Sequence, residues 1–102
     1  MNAYLENCVQ QCKEKEAALL ADGRGDEAVF EKIRANIFGI FLTVWNTGRG
    51  EACFREKLAQ IPAAWQASLE KARAHHDEKT VCLETVKLEA VREIRAQLEV
   101  RA

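Results

Sequence analysis

The sequence has few residues that break helices. It contains one proline and five glycines among 102 residues. Such a composition excludes collagen-like repeats and proline- or glycine-rich disordered segments. Because almost half of the residues are apolar, a chain of this length buries enough surface to form one hydrophobic core. We therefore expect a single domain that spans residues 1–102.

The sequence also lacks an excess of charge of either sign. Lysine and arginine total 15 residues, aspartate and glutamate total 16, and neither sign is collected in a block. A protein that binds nucleic acid usually carries a basic surface that attracts phosphates. The sequence therefore disfavours a nucleic-acid partner.

No hydrophobic run is long enough to cross a membrane. The longest run, residues 37–45, contains Gly39 and Thr43, whereas a spanning helix needs about 20 apolar residues. The first residues lack the basic segment and apolar stretch of a secretory signal. We therefore expect a cytoplasmic protein with no membrane partner, in which the four cysteines are free thiols.

Alanine and glutamate dominate what is present. The chain has 16 alanines and 13 glutamates, but only 16 residues of valine, isoleucine and threonine together, which favours α-helix over β-strand. Gly23 with Gly25, and Gly48 with Gly50, mark two breaks. We predict an all-α fold with helices at about residues 3–22, 26–46, 51–61, 63–75 and 78–101.

Pro62 divides the third predicted helix. Proline cannot donate a helix hydrogen bond, and it biases Ile61 away from helical backbone angles, so we expect a kink or break there. Residues 75–78 read as a turn, with Asp77 as the N-cap of the last helix. These features predict a four-helix bundle-like domain whose third helix is kinked or broken at Pro62.

The second predicted helix has more apolar surface than one neighbour covers. Its main apolar face, which we expect to point inward, consists of Val29, Phe30, Ile33, Ile37, Ile40, Phe41 and Val44. Phe38 and Leu42 widen that face, and Gly39 would let another backbone come close. Gly39 fits either tight packing within the monomer or a subunit interface. We predict Phe38, Gly39 and Leu42 as the interface of a homo-oligomer or of a complex with another protein.

Two charged residues lie within apolar surroundings. Glu16 falls in the apolar stripe of the first helix, where an unpaired charge is costly, so we expect it to pair with Lys32 or Arg34. The Arg34 guanidinium is expected to stack on Phe30 or Phe38. Glu16 and Arg34 are either a structural ion pair or the polar groups that orient a small ligand in a pocket.

The cysteines offer two further candidate sites. Cys8 and Cys12 lie four residues apart on one helical face, a separation compatible with metal binding if Cys82 or the His75–His76 pair completes the site. The alternative is that they are ordinary buried apolar residues. Cys53 lies in the first turn of the third helix near Arg49 and Arg55, which favours a reactive thiolate. No residue pattern implies a cofactor.

Three segments carry a resemblance. Residues 26–37 read DEAVFEKIRANI, residues 61–65 read IPAAW and residues 87–89 read KLE. They resemble a family of short, uncharacterised, all-helical bacterial proteins. The resemblance implies a compact helical domain in a bacterial cytosol, and it supplies no catalytic residue.

No acid, base and nucleophile converge by spacing. We therefore expect a non-enzymatic module that self-associates or docks on another protein. The alternative is a small-ligand- or metal-binding bundle that uses Glu16, Arg34, Cys8 and Cys12. A thiol enzyme built on Cys53 is a third hypothesis.

Overall fold

The fold is all-α, as the composition predicts. The computed structural model describes the backbone of residues 1–101 and the side chains of residues 1–100, and it contains no strand within this range. The helices are α1 (Asn2–Ala21), α2 (Gly25–Thr47), α3 (Glu51–Gln60), α4 (Ala63–Ala74) and α5 (Glu78–Arg101). None of them, in the part of the chain described, has an apolar stretch sufficient for a bilayer crossing.

Two helices end in the same left-handed turn. After α1, Gly23 has a φ of 72°, and the Arg24 amide donates to the Leu19 carbonyl at 2.8 Å. After α4, His76 has a φ of 56°, and the Asp77 amide donates to the Ala72 carbonyl at 2.9 Å. This arrangement satisfies carbonyls at a helix C-terminus, and glycine is the residue that adopts it at least cost.

Asp77 caps α5. Its carboxylate accepts hydrogen bonds from the Thr80 amide at 3.2 Å and from the Thr80 hydroxyl at 2.7 Å. These bonds lower the pKa of Asp77. The cap that the sequence predicted for the last helix is therefore present.

The backbone between α3 and α4 differs from the expectation for Pro62. Ile61 has φ and ψ of −60° and −45°, and Pro62 has −71° and −10°, so both residues keep right-handed helical angles. The predicted departure of Ile61 from these angles is wrong. The bias that proline places on the preceding residue is a preference, and here the Ile61 amide still donates to the Lys57 carbonyl at 2.9 Å.

The helices form a flat arrangement. The principal contacts run from α1 to α2, from α2 to α5 and from α5 to α4, with α3 against α2. The molecule measures 39 × 35 × 23 Å, and its radius of gyration is 14.5 Å. A compact domain of this length has a radius of gyration of about 13 Å. The chain is therefore more spread out than a typical domain of its size.

The core lies where α1, α2, α3 and α5 meet. Its largest fully buried side chains are Phe38, Phe41, Phe54, Leu5, Ile94, Leu98 and Val91. The Phe54 ring of α3 makes edge contacts with Phe41 and Trp45 of α2, at centroid distances of 6.1 Å and 5.1 Å. These edge-to-face contacts are the geometry that aromatic rings prefer.

The contact between α4 and α5 includes a buried charge. Glu84 is 7% exposed, and its Oε1 atom accepts a hydrogen bond from Lys87 Nζ at 2.9 Å. Its Oε2 atom is buried without a hydrogen-bond partner. Lys87 in turn lies 5.7 Å from the centre of the Trp65 ring on α4. The lysine therefore links a buried carboxylate to the aromatic face of the neighbouring helix.

The predicted inward face of α2 is partly wrong. Val29 and Ile40 are 48% and 40% exposed, although both were expected to point inward. The monomer instead buries Ala28, Ala35, Ile37, Phe38 and Phe41. Aromatic side chains bury more apolar area than valine or isoleucine, so the helix turns its phenylalanines toward the core.

Candidate functional site

Arg34 forms the centre of a polar cluster between three helices. Its Nη2 atom lies 3.0 Å from Glu93 Oε2 on α5, and its Nε atom lies 3.7 Å from Glu31 Oε2. The guanidinium also lies 5.5 Å from the centre of the Phe38 ring, which confirms the predicted stacking on Phe38. The Tyr4 hydroxyl of α1 donates to the Glu93 carbonyl at 3.4 Å. The cluster therefore ties α1 and α2 to α5.

The predicted partner of Arg34 is wrong. Glu16 was expected to pair with Lys32 or Arg34, but within residues 1–100 neither Glu16 nor Lys32 takes part in an ion pair. Glu93 lies 59 residues from Arg34 and was not predicted as its partner. No helical periodicity relates residues on two different helices, so the sequence held no signal for this contact.

The positive charge of Arg34 is already balanced within the cluster by the carboxylates of Glu93 and Glu31. Burial lowers the pKa of Arg34, but the combined effect of Glu93, Cys12 and Glu31 is larger and raises it above its ordinary value. Two carboxylates therefore hold one guanidinium. A cation that is already paired twice has little charge left for an anionic ligand.

Cys8 and Cys12 do lie together, in an open cleft of about 260 Å³ that Arg34, Glu93, Tyr4 and Lys15 also line. Burial raises the pKa of both thiols, although Tyr4 acts in the opposite direction on Cys8 and Arg34 does so on Cys12. A raised pKa favours the protonated thiol, which is a poor metal ligand and a poor nucleophile.

The residues that would complete a metal site are elsewhere. Cys82 lines a separate cleft between α2 and α5, beside Val29 and Leu83. Over the described residues, no group of three or more histidine, cysteine, aspartate or glutamate side chains could hold a metal ion. Glu16 is not among the residues that line the Arg34 cleft.

Cys53 lies in the first turn of α3 and is half-buried. Of the two arginines expected near it, Arg55 pairs with Glu51, with 3.6 Å between its Nε atom and the carboxylate. The Arg55 charge is thus shared with an acid of the same helix. A reactive Cys53 stays a prediction.

The structure places an apolar stripe on the open side of α2. We call this surface the α2 stripe and define it as Val29, Ile33, Asn36, Ile40 and Val44. Val29, Asn36 and Ile40 are exposed, whereas Ile33 and Val44 are half-buried at its edge. The spacing of four, three, four and four residues places all five on one side of a helix. Only Leu20 and Val100 are other large apolar residues exposed within residues 1–100.

The three residues predicted as an interface occupy different surroundings. Phe38 is 1% exposed and belongs to the core of the monomer, so this structure offers no Phe38 surface to a partner. Leu42 is half-buried against the same core. Gly39 is half-buried, and a Cβ atom built on it would meet nothing within 4 Å. Tight packing within the monomer therefore does not explain Gly39.

The excess of apolar surface on α2 was predicted, but the side that carries it was not. Val29, Ile33, Ile40 and Val44 had all been assigned to the inward face.

Comparisons with known proteins decide nothing further, because no family model, no curated protein and no solved structure matches the chain. The resemblance to a family of short bacterial helical proteins gains no support from them.

Proposed function

We propose that this protein is a non-enzymatic helical module that acts by self-association, and that a second copy covers the α2 stripe. The observation that carries the proposal is the exposure of Val29 and Ile40, 48% and 40%, on the open side of a helix whose opposite side is packed in the core. Burial of such apolar surface is the main favourable term in protein association.

The total surface area supports a partner. The accessible surface is 6447 Å². A folded monomer of 11.5 kDa is expected to expose about 5,800 Å². The excess is about 600 Å² and agrees with the flat shape of the molecule, which leaves surface for a partner to cover.

The composition of the α2 stripe favours a second copy of the same chain. Its four apolar residues carry no charge that would select an oppositely charged partner. Asn36 lies among them, and its side-chain amide both donates and accepts hydrogen bonds, so it can pair with the same residue of another copy. In a two-fold interface the same patch of each copy is in contact, so each residue makes its contact twice and the patch is complementary to itself.

The proposal is tested by the oligomeric state of Ile40→Glu. Sedimentation velocity over a range of concentrations should find a dimer for the wild-type chain. The variant should weaken dimerisation by at least about 100-fold, because each dimer would bury two unpaired carboxylates. Circular dichroism should find unchanged helix content, since Ile40 is already 40% exposed in the monomer.

Leu20→Glu is the matched control. Leu20 is 57% exposed and apolar like Ile40, but it lies on α1 outside the α2 stripe. This variant should dimerise as the wild-type chain does. A wild-type chain that stays monomeric at high concentration, or equal effects of the two variants, would overturn the proposal.

We further propose a cytoplasmic location, which suits the four cysteines because all of them are free thiols.

The ligand-binding alternative receives less support. The charge of Arg34 is already paired with two carboxylates in a contact that joins helices, and Glu16 does not line that cleft.

A further inference from the structure

We propose that the two copies pack their α2 helices antiparallel, around a two-fold axis that passes beside Asn36. This inference rests on the self-association proposed above and adds the orientation of the partner. It follows from the charges at the two ends of α2 and from the helix dipoles, and the order of residues along the α2 stripe is compatible with it.

The α2 stripe reads nearly the same in both directions. Val29 and Val44 are equally far from the point between residues 36 and 37, and so are Ile33 and Ile40. In an antiparallel pair centred there, valine lies opposite valine and isoleucine lies opposite isoleucine. Every layer of the interface therefore joins side chains of one shape, and Asn36 lies next to Asn36 of the other copy.

The charges at the two ends of α2 distinguish the orientations. Asp26 lies in the first turn, and Arg49 lies two residues beyond the last residue of the helix. Within the described residues, neither takes part in an ion pair. An antiparallel pair brings Asp26 of one copy toward Arg49 of the other, whereas a parallel pair brings Asp26 toward Asp26 and Arg49 toward Arg49.

The helix dipoles favour the same arrangement. The N-terminus of a helix carries a partial positive charge and the C-terminus a partial negative charge. Antiparallel helices of 23 residues place opposite partial charges side by side at both ends.

Disulfide trapping tests the orientation. In the antiparallel dimer, Ile33 of one copy lies opposite Ile40 of the other, while the two Ile33 residues lie about 10 Å apart along the helix axes. A disulfide needs Cα atoms within about 7 Å. Ile33→Cys and Ile40→Cys should therefore form few covalent dimers when each is oxidised alone. An equimolar mixture should form many, seen as a dimer band on a non-reducing gel.

Two controls calibrate the trapping. Asn36→Cys should cross-link to itself, since it lies beside the axis. Ala67→Cys, an exposed position on α4, should give only the background of the wild-type cysteines.

The possible outcomes separate the two proposals. Cross-linking of Ile33→Cys to itself and of Ile40→Cys to itself, without a gain in the mixture, means a parallel dimer. That result would overturn the orientation and leave the self-association intact. A wild-type chain that sediments as a monomer would overturn both.

Discussion

At the scale of single residues, His76 holds a backbone conformation that costs free energy. Its φ of 56° lies in the left-handed region, where a side chain other than glycine is disfavoured by about 1–2 kcal/mol. Gly23 occupies the equivalent turn after α1 without this cost. His76 is exposed, so its side chain offers little packing in return.

We therefore expect His76→Gly to raise the free energy of unfolding by about 1 kcal/mol, measured by urea denaturation. His75→Gly is the matched control. His75 has a φ of −99°, which any residue adopts, so glycine there should give no gain. Equal effects of the two substitutions would contradict the assignment of strain to residue 76.

Arg34 gives a second prediction at this scale. Its side chain is 24% exposed and combines an ion pair with Glu93 and a contact with the Phe38 ring. Arg34→Ala should lower the free energy of unfolding by about 1–2 kcal/mol, through lost pairing, ring contact and packing of the side-chain stem. Arg24→Ala should cost no more than about 0.5 kcal/mol, because the Arg24–Glu27 pair is about half exposed. A similar cost for both would mean that the Arg34 cluster does not stabilise the fold.

At the scale of elements, α2 illustrates what sequence could and could not specify. Gly23, Gly48, Gly50 and Pro62 lie in the segments between helices, whereas Gly25 is the first residue of α2. These breaks could be predicted because glycine and proline have strong local effects on the backbone. Which side of α2 turns inward depends on what α1, α3 and α5 present to it. That competition joins residues far apart in the chain, so the periodicity of α2 alone could not decide it.

Gly39 yields a prediction for α2 as an element. A glycine inside a helix costs about 1 kcal/mol relative to alanine, and a Cβ atom at residue 39 would enter open space. Gly39→Ala should therefore stabilise the isolated monomer by about 1 kcal/mol. The measurement is urea denaturation in the Ile40→Glu background, in which the proposed dimer should not form. No gain in that background would indicate a contact within the monomer that the structure does not contain.

Lys87 stabilises the contact between α4 and α5, because it pairs with buried Glu84 and lies over the Trp65 ring. Lys87→Met leaves Glu84 buried without a cation, and we expect a loss of about 2 kcal/mol. The double variant Glu84→Met, Lys87→Met removes the buried charge together with its partner. It should be more stable than Lys87→Met alone, as a double-mutant cycle would report. If instead the two losses add, the residues are not coupled.

At the scale of the whole molecule, the flat shape links the stability of the fold to the proposed association. A chain that is 23 Å thick in one direction leaves one face of its central helix uncovered, and its stability should depend on the second copy. Ligands and partners that bind only the folded state raise its apparent stability by mass action. In the proposed self-association the partner is the chain itself, so stability should depend on protein concentration.

The thermal unfolding midpoint should therefore rise with protein concentration. Each tenfold increase stabilises a dimer by about 1.4 kcal/mol. For a dimer of this size, the midpoint should therefore rise by about 3–5 °C for each tenfold increase in concentration, at concentrations above the dissociation constant. Calorimetry of Leu20→Glu should give the same dependence, and Ile40→Glu should unfold at one temperature throughout. A wild-type midpoint that does not move over a hundredfold range of concentration would mean that the α2 stripe faces water in the native protein, and that its apolar residues contribute to no assembly of this chain.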